Sequence, residues 1–491
     1  MLLATPLGLL LGGPKRILAR TLGLATAALV IALPLLSDLE PAALWGGIAI
    51  CVVALVPAQL WCAGYAPGLP VFPVFAATHV WAFGLPLLTA HPIATAYPPA
   101  QIAMASATVC GFLALATLVW LGLADRRPGP TEPLRVLDTR SGQLVVWLPL
   151  VAAPAIGLLE LAGHADLFGA GWSIVRASVT GLNTLSVFVL CLQWGSAQLP
   201  ARLRPILGAL LILQLVVAAA ALLLVGAMTV FLIAVVAFTA GRGRAPVLVV
   251  LLALVAFAFL HVGKGVMRER HWRPEQELVL QPADLPGWYA ERAAASVAAS
   301  GGDLAGNLLG RQREGAAPLW WRSSTMQLLL LAQDLTPREV PFLQGATYEI
   351  IPALLVPRIL NPTKLRTHEG TYRLNLHYGL QREEDTWTTT IGWGLLNEAF
   401  ANFGYWGVAG LAAVLGGFFG WVTRYSAAGS LLSLRALFAI LVLSYAFQAE
   451  FSAGVLVSAL FQSSAALVAL SFLIMRREWL LDRFARRGSE E

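Results

Sequence analysis

Charge is what this sequence has least of. Of its 491 residues, 12% are Asp, Glu, Lys or Arg and 58% are hydrophobic, whereas an ordinary soluble domain is about one-quarter charged. With a mean hydropathy of +0.72, the chain reads as one that lives mostly in lipid. Cysteine is scarce too: Cys51, Cys62, Cys110 and Cys191 all fall in apolar stretches. They read as small hydrophobes, with neither a disulfide framework nor zinc-ligand spacing. Short alternating segments are missing, which excludes a β-barrel. G-x-x-x-x-G-K-[ST], H-E-x-x-H and G-x-S-x-G are absent, so ATP-driven transport by this chain alone is not expected.

What is present is a series of apolar runs of the length that crosses about 30 Å of hydrocarbon. Spans are expected near 17–36, 42–60, 69–89, 101–123, 143–162, 180–198, 205–223, 226–240, 246–262, 400–423, 430–449 and 454–475. The first lacks an Ala-x-Ala cleavage pattern and reads as an uncleaved span. The expected fold class is an all-α polytopic membrane protein of about twelve helices, with one large loop between the ninth and tenth. The corresponding divisions are a bundle at 1–262, the loop at 263–394, three further helices within 395–475 and a basic tail at 476–491.

The Lys and Arg residues orient this thread. Clusters at Lys15, Arg16 and Arg20, at Arg126, Arg127, Arg135 and Arg140, at Arg202 and Arg204, at Arg242 and Arg244, at Arg424, and in the tail from Arg476 to Arg487 all fall on one side. Loops 37–41 and 90–100 carry none. The positive-inside rule then places both termini in the cytoplasm and 263–394 outside. This bias accounts for the net charge of +6 without nucleic acid. The loop holds 14 of the 33 basic and 14 of the 27 acidic residues. It is too rich in aromatics (Trp288, Tyr289, Trp320, Trp321, Phe342, Tyr348, Trp387, Trp393) to be a disordered linker. Amphipathic helices are expected at 289–310 and 319–333, and a Pro-rich surface-lying or re-entrant piece at 352–362.

Candidate chemistry gathers at the outer boundary. Lys264 and Arg268 are i,i+4, so one helical face carries both. Two cations there suit a pyrophosphate, although snorkelling at a helix end explains either alone. Glu398 opens a span with Asn402 at i+4. An acid entering a membrane points to function, against the simpler role of capping a helix start. Glu450 is a weaker case of the same kind. Arg358 either grips substrate or pairs with a loop acid. His164, His261, His271, His368 and His377 each read first as ordinary exposed or satisfied histidines, with His368 and His377 closest to the polar cluster. Asp38 and Glu40 form a D-x-E in the first outer loop. Metal-dependent lipid-linked glycosyltransferases place paired acids there, but a single D-x-E arises easily by chance.

Read in order, these elements form a pattern. A basic pair follows a helix; then come G-x-T-Y-x-x-I-P (345–352), P-R-x-L-x-P-x-K (357–364) and L-L-N-E-A-F-A-N-F-G-x-x-G (395–407). Over roughly 246–424 the chain resembles bacterial oligosaccharide repeat-unit polymerases, the Wzy-type O-antigen and exopolysaccharide polymerases. The resemblance implies a GT-C-like, metal-independent, inverting glycosyltransferase of the bacterial inner membrane, with no cofactor. Such an enzyme extends undecaprenyl-pyrophosphate-linked oligosaccharide at the periplasmic face, in the lipopolysaccharide or exopolysaccharide pathway. Its partners would be that lipid-linked substrate, membrane lipids, a chain-length regulator and a flippase. By position, the resemblance implies Glu398, Arg268 and Arg358 as catalytic groups. Lys264, Arg322, Tyr348, Glu349, Lys364, His368, His377 and Asn402 would bind substrate, with Glu349 the second choice of base. Asn361 before Pro362 and Leu365 after Lys364 depart from the commoner P-R-x-x-P-x-K-P form, so the role of Lys364 stays open. An O-antigen ligase is the nearest alternative. A lipid-linked sugar flippase or other transporter is another, though such proteins distribute charge among many spans.

Overall fold

The computed structural model describes residues 12–124, 135–137, 142–164, 172–222, 224–271, 279–300, 321, 324–357, 360–361, 363–387, 390–427 and 432–477. Among these, nine helices are long and apolar enough to cross a membrane, or ten if Val247–Val262 and Lys264–His271, bent by 41°, count as one span. The protein is an all-α polytopic membrane protein, as its composition requires.

In chain order the helices before the large segment are α1 (Gly12–Leu36), α2 (Pro41–Cys62), α3 (Val71–Leu88), α4 (Pro99–Leu123), α5 (Gly142–Leu161), α6 (Trp172–Gly195), α7 (Arg204–Ala220), α8 (Leu224–Arg242) and α9 (Val247–Val262). The segment itself carries α10 (Lys264–His271), α11 (Leu285–Ser300), α12 (Met326–Leu335), α13 (Ile351–Leu355) and α14 (Glu369–His377). Beyond it lie α15 (Leu395–Ala427), α16 (Leu434–Ala446) and α17 (Ala453–Ile474). Every one of the twelve expected spans falls on a helix. The eleventh is short: α16 has 13 residues, about 20 Å at 1.5 Å per residue, and its chain turns at 447–452.

Two features were absent from the sequence reading. Arg135–Leu137 (β1) pairs antiparallel with Met475–Arg477 (β2), with Val136 also bridging Ser433. This small ribbon ties the 124–142 connection to both ends of the last helix pair. Within α3, residues Val80–Gly84 widen into a π-helix. In the large segment, the first amphipathic helix starts earlier than expected, at Leu285. The second, α12, starts later than expected, at Met326, and packs its apolar face against α4 and α15. The Pro-rich piece begins with the single turn of α13; Val356 is extended, and Pro357 O then accepts from Leu360 N and Asn361 N.

Close approach through small residues holds the bundle together, as expected where lipid removes any hydrophobic drive between helices. The largest interface joins α15 to α4. There a Cβ on Gly416 would stand 2.5 Å from the Ala116 carbonyl oxygen, and one on Gly420 would stand 2.8 Å from the Leu123 Cβ. Gly195 and Gly241 likewise pack α6 and α8 against the backbone at Phe238 and Leu192. By contrast, α9 has no buried residue, and its Leu248 and Leu252 are 70% and 62% exposed, as suits a helix surrounded by lipid.

Gly416→Val therefore forces α15 and α4 apart. Overpacking of this kind costs about 1–3 kcal/mol, so the variant should unfold at a lower temperature in detergent than wild type. Gly111→Val, on the same α4 but with open space beside it, should not.

Candidate functional site

The large segment is seated on the bundle at three places where a membrane helix ends or breaks. The first is the C-terminus of α7, whose last carbonyls lack intrahelical partners. Tyr289 Oη donates to Val216 O (2.6 Å), Arg292 Nη1 to Ala219 O (2.7 Å), Trp288 Nε1 to Ala220 O (3.2 Å) and Arg268 Nη2 to Leu222 O (3.4 Å). Cations also complement the negative end of the helix dipole. The second is the π-helix of α3, where Ala82 O accepts from Thr325 N (2.9 Å). Nearby, Trp321 Nε1 donates to Thr89 Oγ1 (3.0 Å) and Gln333 Nε2 to Thr108 Oγ1 (2.9 Å).

The third place is a break within α15. Phe403 (φ −139°, ψ 15°) and Gly404 (φ 60°, ψ −144°) are not helical, and the positive φ explains glycine at 404. The freed carbonyls of Ala401 and Asn402 accept from Leu343 N and Gln344 N, both at 3.0 Å. Behind the break lies a buried polar layer. Gly345 N donates to Asn402 Oδ1 (3.0 Å), and Asn402 Nδ2 donates to Thr347 Oγ1 (2.9 Å) and to Glu398 O (2.8 Å). The Thr347 hydroxyl also lies beside the Glu398 carboxylate. Tyr348 stacks on Phe403 with centroids 6.1 Å apart. Glu398 Oε2 accepts from Ala453 N (2.6 Å), so this carboxylate caps the N-terminus of α17.

In front of this layer, residues 366–372, 390–394 and 450–454 meet at a crevice. A Cβ on Gly392 would touch Glu450 (2.8 Å to its Cβ), and Gly394 N donates to Glu450 O (3.3 Å). Thr390 Oγ1 donates to Tyr372 Oη (3.4 Å). Arg366 lies 4.1 Å over the Tyr372 ring, pairs with Glu369 (3.6 Å) and donates to Thr386. The His368 ring is 6.3 Å from that of Tyr372.

Glu450 and His368 both keep exposed surface although protein surrounds them on most sides, as groups lining a concavity do. Burial pushes the Glu450 carboxyl above its ordinary value, with the nearby Lys264 ammonium pulling the other way. Burial also holds the His368 imidazole below its ordinary value.

The residues singled out from sequence thus separate into groups. Lys264 lies near Glu450, and His368 stands on the 366–372 wall beside Tyr372. Lys364 lies in the turn that leads into Arg366. Glu398, Asn402 and Tyr348 form the layer behind. Glu398 is fully enclosed (0% exposed), which keeps its carboxylate from an external hydroxyl in this conformation. Arg268 reaches the α7–α8 turn. Glu349 pairs with Arg373 (2.8 Å) at the surface, and His377 Nε2 donates to Pro341 O (2.8 Å). In the D-x-E, Glu40 caps α2 through Ala42 N (2.9 Å) and Ala43 N (3.1 Å). Arg322 and Arg358 lie outside the described residues. Sequence reasoning missed Arg366, Tyr372 and Arg292. Arg366 and Tyr372 stand near the cluster it marked, but nothing in their spacing separates them from other loop residues.

No protein-family model matches the chain, and no curated protein or solved structure does either.

Asn402 is the member of the buried layer whose loss is easiest to read. Asn402→Leu strands the Gly345 N–H and removes the Thr347 partner, at about 1–3 kcal/mol for each buried group left unpaired. Thermal unfolding should shift down accordingly, and amide exchange should quicken at 343–347.

Proposed function

We propose that this protein is a membrane glycosyltransferase that polymerises undecaprenyl-pyrophosphate-linked oligosaccharide repeat units at the outer face of the bacterial inner membrane. One observation carries the reading: the Glu450 carboxylate, with the Lys264 ammonium near it, stands against residues 392–394 where the large segment meets the start of α17, backed by a buried polar layer. The motifs at 345–352, 357–364 and 395–407 support it through their likeness to repeat-unit polymerases. The first forms part of the layer behind the crevice and the third opens the broken helix.

In the proposed step an acceptor sugar hydroxyl attacks the anomeric carbon of the donor. The C–O bond to the lipid pyrophosphate breaks with inversion, and the hydroxyl proton passes to Glu450 as general base. Lys264 opposes the charge that develops on the leaving pyrophosphate. His368, Tyr372 and Arg366 orient the sugars. Glu398 supports the crevice wall by fixing the start of α17, and no metal or nucleotide takes part. The alternatives within the same chemistry differ in acceptor, since a ligase transfers finished polymer to a lipid A core or a protein.

The test is purified protein in detergent with undecaprenyl-pyrophosphate-linked oligosaccharide, with chelator and without nucleotide. Wild type should give a ladder of longer lipid-linked products; no ladder from folded protein that binds the lipid would refute the proposal. Glu450→Gln should lose about 10²–10⁴-fold in rate, the usual contribution of a positioned base. Glu349→Gln should keep most activity, because a surface pair contributes about 0–1 kcal/mol.

The pH profile carries a further prediction. A base must be deprotonated, and the Glu450 carboxyl is held above its ordinary value by burial. Activity should therefore fall on acidification at a pH above the usual carboxylate range, and in Glu450→Gln that limb should disappear from the residual rate.

A further inference from the structure

At the junction of α15 and α17, four buried side-chain oxygens have no hydrogen-bond partner: Thr325 Oγ1, Asn397 Oδ1, Glu398 Oε1 and Ser452 Oγ. Each residue is at most 1% exposed, and hydrogen bonds link the segments that carry them. Asn397 Nδ2 donates to Thr325 O (2.8 Å), Asn397 and Glu398 are neighbours on α15, and Glu398 Oε2 takes the N–H of Ala453, which follows Ser452. A fifth oxygen stands beside them. A Cβ on Gly394 would be 2.7 Å from Ala449 O and 3.9 Å from Thr325 Cγ2.

These oxygens have no business being orphaned together unless something joins them. Buried polar groups are almost always paired, and each exception calls for an explanation. The carboxylate adds a second demand. None of the ion pairs among the described residues includes Glu398, and an uncompensated buried charge is far costlier than an unpaired hydroxyl. The set contains hydroxyl, amide, carboxylate and carbonyl oxygens with no nitrogen or sulfur, which is the ligand preference of a hard cation. A single carboxylate balances a single charge.

We propose that this nest binds one alkali-metal cation, with the Glu398 carboxylate as its counter-charge and Thr325, Asn397, Ser452 and the Ala449 carbonyl as neutral ligands. The cation joins the start of α15 to the start of α17 and to the segment before α12. It thereby fixes the wall behind the crevice. The assignment does not depend on the reaction proposed above.

The test uses the full-length protein in detergent, with thermal unfolding followed in NaCl, KCl and choline chloride at equal ionic strength and fixed pH. The unfolding temperature should rise in at least one alkali salt relative to choline. It should follow a saturating curve, as for a ligand that binds the folded state alone. Glu398→Gln, which carries no charge to balance, should lose this response while being at least as stable as wild type in choline. Ser452→Ala, which keeps the carboxylate, should move half-saturation to higher salt; it serves as the second variant if Glu398→Gln does not fold. Equal unfolding temperatures in all three salts would overturn the proposal. So would stabilisation by acid in choline with no alkali response, which would assign the neutralising charge to a proton, or an alkali response unchanged in both variants.

Discussion

A backbone N–H or C=O that enters hydrocarbon without a partner costs several kcal/mol, and that constraint organises this molecule. Three of its membrane helices do not run as closed cylinders. α7 stops with carbonyls exposed, α3 widens at Val80–Gly84 and α15 breaks at Phe403–Gly404. In each case donors to these carbonyls come from the same stretch of chain, between α9 and α15. Tyr289, Arg292 and Trp288 serve α7, Thr325 serves α3, and Leu343 and Gln344 serve α15. The large segment is thus part of the membrane bundle's hydrogen bonding. Neither the broken helices nor the segment would be satisfied without the other.

This reciprocity decides how precisely the crevice is held. Its walls come from chain distant in sequence (367–372, 390–394 and 450–454), yet each wall is tied to the layer behind it. Gly394 hydrogen-bonds Glu450, Glu398 bonds Ala453, and Asn402 bonds Thr347 and the 345 turn. A network buried in low dielectric is stiff when its members are satisfied. Positioning to within fractions of an ångström is what distinguishes a reactive arrangement of an acid and a base from a chance meeting of polar side chains. The crevice itself stays open, so Glu450 and His368 meet solvent while their supports do not.

How much of this was legible follows the range of the interactions. Apolar runs are local, and all twelve located helices. The N-E-A-F-A-N-F-G stretch marked the start of α15, and its Gly404 is where the helix breaks. The partner of Asn402 was not legible, because 57 residues separate it from Gly345 and no periodicity encodes that meeting. Arg268 shows a competition that spacing does not encode. Its i,i+4 spacing with Lys264 is real, yet the end of α7, remote in sequence, competes for its guanidinium. The β1–β2 ribbon was equally invisible, since two three-residue strands show no alternation to read. Glu398 stands out in the sequence as an acid at a membrane boundary, but only the folded chain reveals that the helix it caps is α17.

Glu398 is also where fold and function press against each other most directly. A helix start can be capped by Ser, Thr or Asn at a fraction of the desolvation cost of an enclosed carboxylate, and Ser452 already stands at the cap position of α17 without capping it. A chain that leaves the neutral cap idle and places a charge there is using the charge. Pairing it with a lysine or arginine would have neutralised it, and none of the described ion pairs does so. The oxygen atoms gathered around it instead share one chemical preference. The polar layer behind the crevice therefore makes sense as a coordination shell as well as a scaffold, with the charge of Glu398 retained because an ion of opposite charge completes it.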